Sequence, residues 1–425
     1  MKFASMCVLG MGYIGLPTAC TFATHGLSVT GVDVNPRILD VLRNGDVHIH
    51  EPGLKAVVVE AFRSGHLQVS SAPVPADAFL IAVPTPINAD KTADLSFVVS
   101  AAVSIVPHLR SGNLVVLEST SPPRTTVDVV RPILERSGLH AGEGFYLAYS
   151  PERVLPGQIL RELIENARVI GGIDSASAQA GKDLYSVFVR GEVVMTDATT
   201  AEMVKLMENT YRDVNIALAN EFARLAEHFG VDVWQAIAAA NRHPRVRILL
   251  PGPGVGGHCI SVDPWFLVEA APHLAGLVAK ARSVNDEQPR YVVDLVRREL
   301  GSLAHRRIAV LGLTYKPDVD DVRESPAIEV VRRLAQEGAQ LTIYDPLAPH
   351  VALEAERVES LERAVRRAEG VLLLVAHQAF RAIDPGRLAT LTPARVAVDC
   401  HGVWDRTTWA RAGFRLRTLG AQAAA

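Results

Sequence analysis

Cysteine is scarce in this chain: four in 425 residues, at positions 7, 20, 259 and 400. They are far apart and form no CxxC pair, so spacing suggests neither a zinc or other metal site nor a disulfide framework, and a reducing cytosol fits best. Long apolar runs are missing too, because no stretch of 18 uncharged apolar residues occurs. The opening MKFASMCVLGMGYIGLP lacks a charged n-region, a long h-region and a small-residue cleavage site, so the expectation is a cytoplasmic protein that does not span a membrane. No one sign of charge dominates: 43 Lys and Arg face 46 Asp and Glu, a formal net charge of -3. That balance argues against a mainly nucleic-acid or anionic-membrane role. There is no obvious tandem repeat and no low-complexity tract beyond a short alanine tail. What remains as partners is small molecules or further copies of the chain.

Hydrophobic residues make up 48% and charged residues 21%, the balance of a globular protein, and the length calls for two or three domains. Residues 6–9 (MCVL) read as a buried strand entering Gly10-Met-Gly12-Tyr13-Ile14-Gly15, then a helix to about Gly26. A second strand, 27–32, ends at Asp33. This is a βαβ unit with GxGxxG at its first turn and an acid closing its second strand. Further strands are expected at 78–83, 114–118 and 145–149, with helical segments between them, the alternation of a doubly wound parallel sheet.

From Thr199 the texture changes. Thr199-Thr-Ala-Glu202 is a capping-box pattern, and some thirty proline-free residues follow before Gly230, predicting a helix of roughly 45 Å at 1.5 Å per residue. Helical sequence continues at 231–241 and 272–300, with a loop over 251–266, PGPGVGGHCISVDPWF, between them. At Arg307 the first pattern returns: RIAVLGLTYKP, then strands at 341–346, 371–376 and 396–400. The fold class expected is α/β, with two Rossmann-like doubly wound domains joined by a central helical domain that contains one long helix. Boundaries fall at 1–198, 199–300 and 301–425.

Three patterns carry chemistry. The glycine turn lets a pyrophosphate approach a helix N-terminus, and Asp33 can accept from ribose hydroxyls while repelling a 2'-phosphate, so NAD is the expected cofactor. Lys205, Asn209 and Arg212 lie along one stripe of the long helix; a solvated polar face is the plain alternative. Cys259 alone would more often be a packed small side chain. The glycines around it (252, 254, 256 and 257) allow close backbone approach, and Asp263 and Glu152 offer carboxylates for proton transfer or water ordering. Together these suggest oxidation through a thiol adduct.

The ordered motifs GMGYIGLP, GVDVNP, VPTP, ESTSPP, SPERVLPG, KLMENTYRDVNIALANE, NRHPRVRILLPGPGVGGHCISVDPWF, ARSVND and GLTYKPDVDDVRESPA run through almost the whole chain. They resemble the UDP-glucose/GDP-mannose dehydrogenase family, whose members oxidise C6 of a nucleotide sugar from alcohol to carboxylate with two NAD. The resemblance implies that Tyr13, Ile14, Asp33, Thr85, Thr120, Thr126 and Arg323 line NAD beside Gly10, Gly12 and Gly15. It further implies that Arg153, Val154, Lys205, Asn209, Arg212, His243, Arg245, Gly256, Tyr315 and Lys316 surround a UDP-sugar. Cys259, Lys205, Asn209, Asp263 and Glu152 would be catalytic, and Arg245 hints at a homodimer, expected through the long helix. The UDP-glucose branch carries serine just before the cysteine and lysine just before the aspartate; His258 and Val262 stand there here. That departure resembles the branch acting on N-acetylated sugars, with UDP-N-acetyl-D-mannosamine as expected substrate and UDP-N-acetylglucosamine or UDP-glucose as alternatives.

Overall fold

The structure, a computed structural model, describes residues 2–155, 157–348 and 350–422, so the alanine tail lies outside the described residues. The chain divides into two compact units: one runs to Glu208 and takes in Trp265–Pro272, and the other comprises Asn209–Pro264 and the chain from His273 on.

The first unit is built on eight strands: β1 (Ser5–Leu9), β2 (Ser28–Val32), β3 (Leu67–Ser70), β4 (Ala78–Ile81), β5 (Leu114–Leu117), β6 (Tyr146–Tyr149), β7 (Arg168–Gly172) and β8 (Val193–Asp197). Their order is β3-β2-β1-β4-β5-β6-β7-β8, and all neighbours are parallel except β6 with β7, which is antiparallel. AFLI and LVVL, in β4 and β5, are buried throughout. Unbroken apolar runs suit central strands because helices cover both faces of a parallel sheet. The order reverses between β1 and β4, and ligands of such sheets bind at the carboxyl ends of the strands flanking that reversal.

The second unit repeats the plan with β9 (Arg307–Leu311), β10 (Gln340–Tyr344), β11 (Glu356–Arg357), β12 (Gly370–Leu373), β13 (Val396–Asp399) and β14 (Arg415–Thr418). They lie in the order β11-β10-β9-β12-β13-β14, all parallel. Its central reversal, between β9 and β12, has the place that β1 and β4 hold in the first sheet. The α/β architecture with two Rossmann-like sheets and a central helical region is thus as expected.

The long helix spans Ala198–Phe229 and stops before Gly230, whose φ of +72° ends helices at little cost. Its start differs from the capping-box expectation. Asp197, not Thr199, caps it, accepting from Thr200 N at 2.9 Å and from the Thr200 hydroxyl. Glu202, the expected reciprocal partner, is fully buried and accepts from Arg124 N (2.5 Å), Thr126 N (2.7 Å) and Thr126 Oγ1 (2.6 Å). A tertiary contact therefore replaces the local one, and burial pushes the Glu202 carboxyl up from its ordinary range despite these donors.

The expected helical stretch 272–300 is two helices, Gly276–Asp286 and Gln288–Leu300, with Pro289 in the first turn of the second, where its missing N–H costs nothing. The loop expected over 251–266 ends at Val262, because a helix begins at Asp263 (Asp263–Ala270).

Candidate active site

In the first unit the three glycines of the opening turn serve three purposes. Gly10 has φ +95°, and a Cβ there would stand 2.6 Å from the Ala82 carbonyl oxygen; one on Gly15 would stand 1.8 Å from the Gly10 oxygen. Both are demanded by backbone packing. Gly12 differs: a Cβ on it would meet no atom within 4 Å. The helix that follows, Gly15–Thr24, has no side-chain cap, which leaves its positive end for an anion. Asp33 closes β2 with Oδ2 accepting from Met11 N (3.0 Å) and Oδ1 from Asn35 N (2.8 Å), so the acid is held against the glycine turn. Open space over Gly12, an uncapped helix start and an acid at the end of the second strand together fit a dinucleotide.

This yields a discriminating expectation. Gly12→Ala leaves stability within about 1 kcal/mol of the parent, because nothing is displaced, yet weakens NADH binding about tenfold or more by filling the space a pyrophosphate needs. Fluorescence titration with NADH checks it; unchanged affinity would remove the pyrophosphate from this turn.

Of the other residues expected to line NAD, Thr85 and Thr120 are brought together, the Thr85 hydroxyl donating to the Thr120 carbonyl at 2.5 Å. Thr126 is wholly buried, with N–H and hydroxyl both engaged by Glu202. Tyr13 and Val154 pack their side chains against the first unit's core. Ile14 precedes the uncapped helix. Arg323 belongs to the second unit, where its guanidinium grips Asp321 through Nε (3.0 Å) and NH2 (2.6 Å).

Glu152, just past β6, accepts from Arg153 N at 2.6 Å through Oε1 and from Arg168 at 2.9 Å through Oε2. Its carbonyl receives the Lys205 ammonium at 2.7 Å, which fixes the lysine beside the carboxylate's own backbone. Arg153 is tied to Glu208 (2.6 Å) and to the Ala167 carbonyl (2.8 Å).

In the second unit, Asn209 is 1% exposed. Its Nδ2 donates to Asp263 Oδ2 (2.5 Å), and its Oδ1 accepts from Arg212 (2.5 Å). Asp263 in turn donates its N–H to the Cys259 carbonyl at 2.8 Å. Arg212, Asn209, Asp263 and the cysteine's backbone thus form one hydrogen-bonded chain. Cys259 is partly exposed, whereas the other three cysteines are buried, and burial pushes Cys7 up to about 11, Cys20 up to about 12 and Cys400 well above its ordinary value. Those three are inert by environment.

The glycines before Cys259 make room for protein. A Cβ on Gly254 would meet Pro326 at 2.8 Å, one on Gly256 the Glu324 carbonyl at 2.6 Å and Tyr315 at 2.8 Å, and one on Gly257 the Tyr315 ring at 2.9 Å. Their first service is to let the cysteine loop lie against the YKP and ESP segments, and Gly257 N donates to the Arg323 carbonyl. The start of the loop is pinned by residues that sequence reasoning passed over as generic helix. Asn220 accepts from Gly252 N (2.9 Å), and Gln288 donates to the Gly252 carbonyl (2.9 Å). Asn220 is held by Asn285, which is itself held with Arg282 on buried Asp213. The signal was the ARSVND motif, two of whose polar residues, Arg282 and Asn285, are buried beside Ala281 and Val284 on the inward face of the helix.

Tyr315 and Lys316 follow β9. Tyr315 N donates to the Asp321 carbonyl, and the Lys316 carbonyl accepts from Thr314. The turn is anchored by Asp345 at the end of β10, which accepts from Leu313 N, Thr314 N and His377. Burial alone would raise Asp345, but these donors outweigh it and hold the carboxyl well below its ordinary range. His258 bears on Asp321, helping Arg323 keep that carboxyl low against burial. His243 and Arg245 stand on an exposed turn after the Val233–Ala240 helix, where Arg245 N donates to His243 Nδ1.

Three family descriptions match in order: the UDP-glucose/GDP-mannose dehydrogenase family NAD binding domain over residues 4–189, its central domain over 199–287 and its UDP binding domain over 309–406. The chain belongs to the UDP-glucose/GDP-mannose dehydrogenase family. It is an NAD-dependent nucleotide-sugar dehydrogenase. It is 45% identical over 424 residues to a UDP-N-acetyl-D-mannosamine dehydrogenase of Methanococcus maripaludis, covering 98% of this chain and 96% of the relative. To an NDP-N-acetyl-D-galactosaminuronic acid dehydrogenase of Ralstonia solanacearum it is 48% identical over 417 residues, covering 95% and 97%. The solved structure of a UDP-D-ManNAc dehydrogenase from Pyrococcus horikoshii superposes with a TM-score of 0.92 at 38% identity, covering 98% of this chain and 99% of that one.

Proposed function

We propose that this enzyme oxidises the C6 hydroxyl of UDP-N-acetyl-D-mannosamine to the carboxylate, a four-electron reaction that passes through a covalent adduct on Cys259. The observation that carries it is the chain from Arg212 through Asn209 and Asp263 to the cysteine loop, which orients the Asn209 amide and ties it to the backbone of the partly exposed cysteine. Bound NAD supplies the hydride acceptor, twice per sugar. The C6 hydroxyl loses its proton to a water, or to Lys205 in its neutral amine form, and the resulting aldehyde stays bound. The Cys259 sulfur attacks the aldehyde carbon, and Lys205 and Asn209 stabilise the oxygen anion that forms. After the second oxidation the thioester is opened by a water directed by Glu152. Asp263 orders Asn209, freeing its amide from the need to find a new partner during the reaction.

His258 and Val262, and the names of the Methanococcus and Pyrococcus relatives, support the N-acetylmannosamine sugar. The Ralstonia relative favours an N-acetylgalactosamine nucleotide as the second reading. NADH formation from UDP-N-acetylmannosamine, UDP-N-acetylglucosamine, UDP-N-acetylgalactosamine and UDP-glucose, with product identification, decides. A kcat/KM preference of about tenfold or more for the manno epimer and two NADH per sugar are expected. Preference for another sugar would replace the substrate, and one NADH per sugar would remove the two-step reaction.

The three matched segments support a division into an NAD-binding domain to residue 198, a central helical domain to 300 and a UDP-sugar-binding domain beyond. Met207, Tyr211, Leu218, Leu225 and Phe229 are between 42% and 72% exposed on the long helix, spaced 4, 7, 7 and 4 apart. Such a seam supports a homodimer through that helix, with Arg245 serving the neighbouring copy. Among the described residues no helix is long and apolar enough to cross a membrane, and the expected setting is the cytoplasm, with the uronate used for surface polysaccharide.

A further inference from the structure

Behind Glu152, on the side of the Arg168 guanidinium, lies a second carboxylate that the reaction as written does not use. Glu118 follows β5 directly and is 2% exposed. Its Oε1 accepts from Arg168 NH1 at 3.1 Å and from the Tyr185 hydroxyl at 2.9 Å, while its Oε2 is buried without a hydrogen-bond partner. Arg168, the first residue of β7 and 5% exposed, reaches Glu152 with its other terminal nitrogen, NH2, at 2.9 Å, while NH1 also donates to Ser150 at 3.1 Å. The guanidinium lies over the Tyr185 ring, 4.2 Å from its centroid. One buried cation thus holds two buried carboxylates, one on each terminal nitrogen, in a site where charge is poorly screened.

We infer that Arg168 and Glu118 are positioning residues for Glu152: Arg168 aims its carboxylate, and the protonation of Glu118 sets how much of the Arg168 charge Glu152 feels. The inference rests on Glu152 directing the water that opens the thioester. In that step the water oxygen bonds to the carbonyl carbon, a water proton passes to Glu152, and the carbon–sulfur bond breaks with its electron pair on Cys259.

The sign follows from the charges. The titratable and charged groups facing Glu118 are Arg168 on β7, Glu152 past β6 and Tyr185 on the Ser175–Tyr185 helix. Burial, then the nearby Glu152 charge, push Glu118 up to about 7. For Arg168, burial acts downward but is outweighed by Glu152, Tyr185 and Glu118, so it stays charged. Below neutral pH Glu118 is neutral and the guanidinium answers Glu152 alone. As pH rises through about 7, Glu118 ionises and competes with Glu152 for the one guanidinium, which leaves the Glu152 carboxylate less neutralised. Water activation strengthens over the same interval. Folding is linked in the opposite sense. A carboxyl raised in the native state contributes stability that is complete below its unfolded pKa and is lost as pH rises through the native one.

The test is Glu118→Gln, which keeps the shape and an acceptor for Tyr185 and Arg168 but cannot ionise. Rapid-quench measurement of uronate release between pH 5.5 and 8.5 is expected to show an inflection near neutrality in the parent. In Glu118→Gln that inflection is lost and release above neutrality is about threefold to tenfold slower. Denaturant unfolding supplies a readout independent of turnover: the parent's stability relative to Glu118→Gln falls as pH rises from 5 to 8. A Glu118→Gln pH profile that superimposes on the parent's overturns the inference. Glu152→Gln separates the two layers. A covalent adduct that persists on Cys259 in Glu152→Gln, alongside an unshifted Glu118→Gln profile, overturns the positioning role alone. Normal adduct hydrolysis in Glu152→Gln overturns the role of Glu152 and the inference with it.

Discussion

Replacing Cys259 by serine is expected to lower uronate formation by about a thousandfold or more, because an alcohol is a far weaker nucleophile than a thiolate at neutral pH and an ester a poorer acyl donor than a thioester. The fold should be untouched, since Cys259 is the one partly exposed cysteine among four. That same contrast predicts the pattern of chemical modification. Iodoacetamide should alkylate Cys259 in the native protein while Cys7, Cys20 and Cys400, buried and pushed upward, react only after unfolding. Mass spectrometry of the serine variant incubated with NAD and the nucleotide sugar should find the sugar ester on residue 259 or aldehyde-level product. Full conversion to uronate at the parent's rate would rule out the covalent route.

The second large effect is expected at Lys205. Lys205→Ala removes the only cation assigned to the developing oxygen anion and should lower kcat by about a hundredfold to a thousandfold, with little change in KM. Its ammonium is held by the Glu152 carbonyl at 2.7 Å, so the donor is oriented before substrate arrives and little reorganisation opposes the reaction. Lys205→Arg should rescue poorly, because a planar fork cannot occupy the position of a compact ammonium. A raised KM with unchanged kcat would make Lys205 a binding residue only.

Most of the architecture was legible because it is written in local periodicity. The runs MCVL, AFLI, LVVL and VLLL are buried strands in both the sequence reading and the structure, and the long helix ends where Gly230 said it would. The failures share one cause. Glu202 has the spacing of a capping box, yet its carboxylate turns to Arg124 and Thr126, 78 and 76 residues away in sequence, because a buried acid gains more from three donors than from one local contact. The glycines before Cys259 suggested close backbone approach, but only the structure shows that Tyr315 and Pro326, distant in sequence, are what approaches. Glu118 stood inside the quoted motif ESTSPP and still read as a strand end, since only β7 brings Arg168 to it.

By itself, then, the sequence determined the class of fold, the dinucleotide turn with its closing acid and the family, because these depend on spacing along one chain. Only the tertiary structure decided which polar groups answer one another: Asn209 with Asp263, Lys205 with the Glu152 carbonyl, and Glu118 and Glu152 across Arg168. The physical reason is that a buried charge must find its partner wherever the packing places one, and packing joins residues that no local pattern relates.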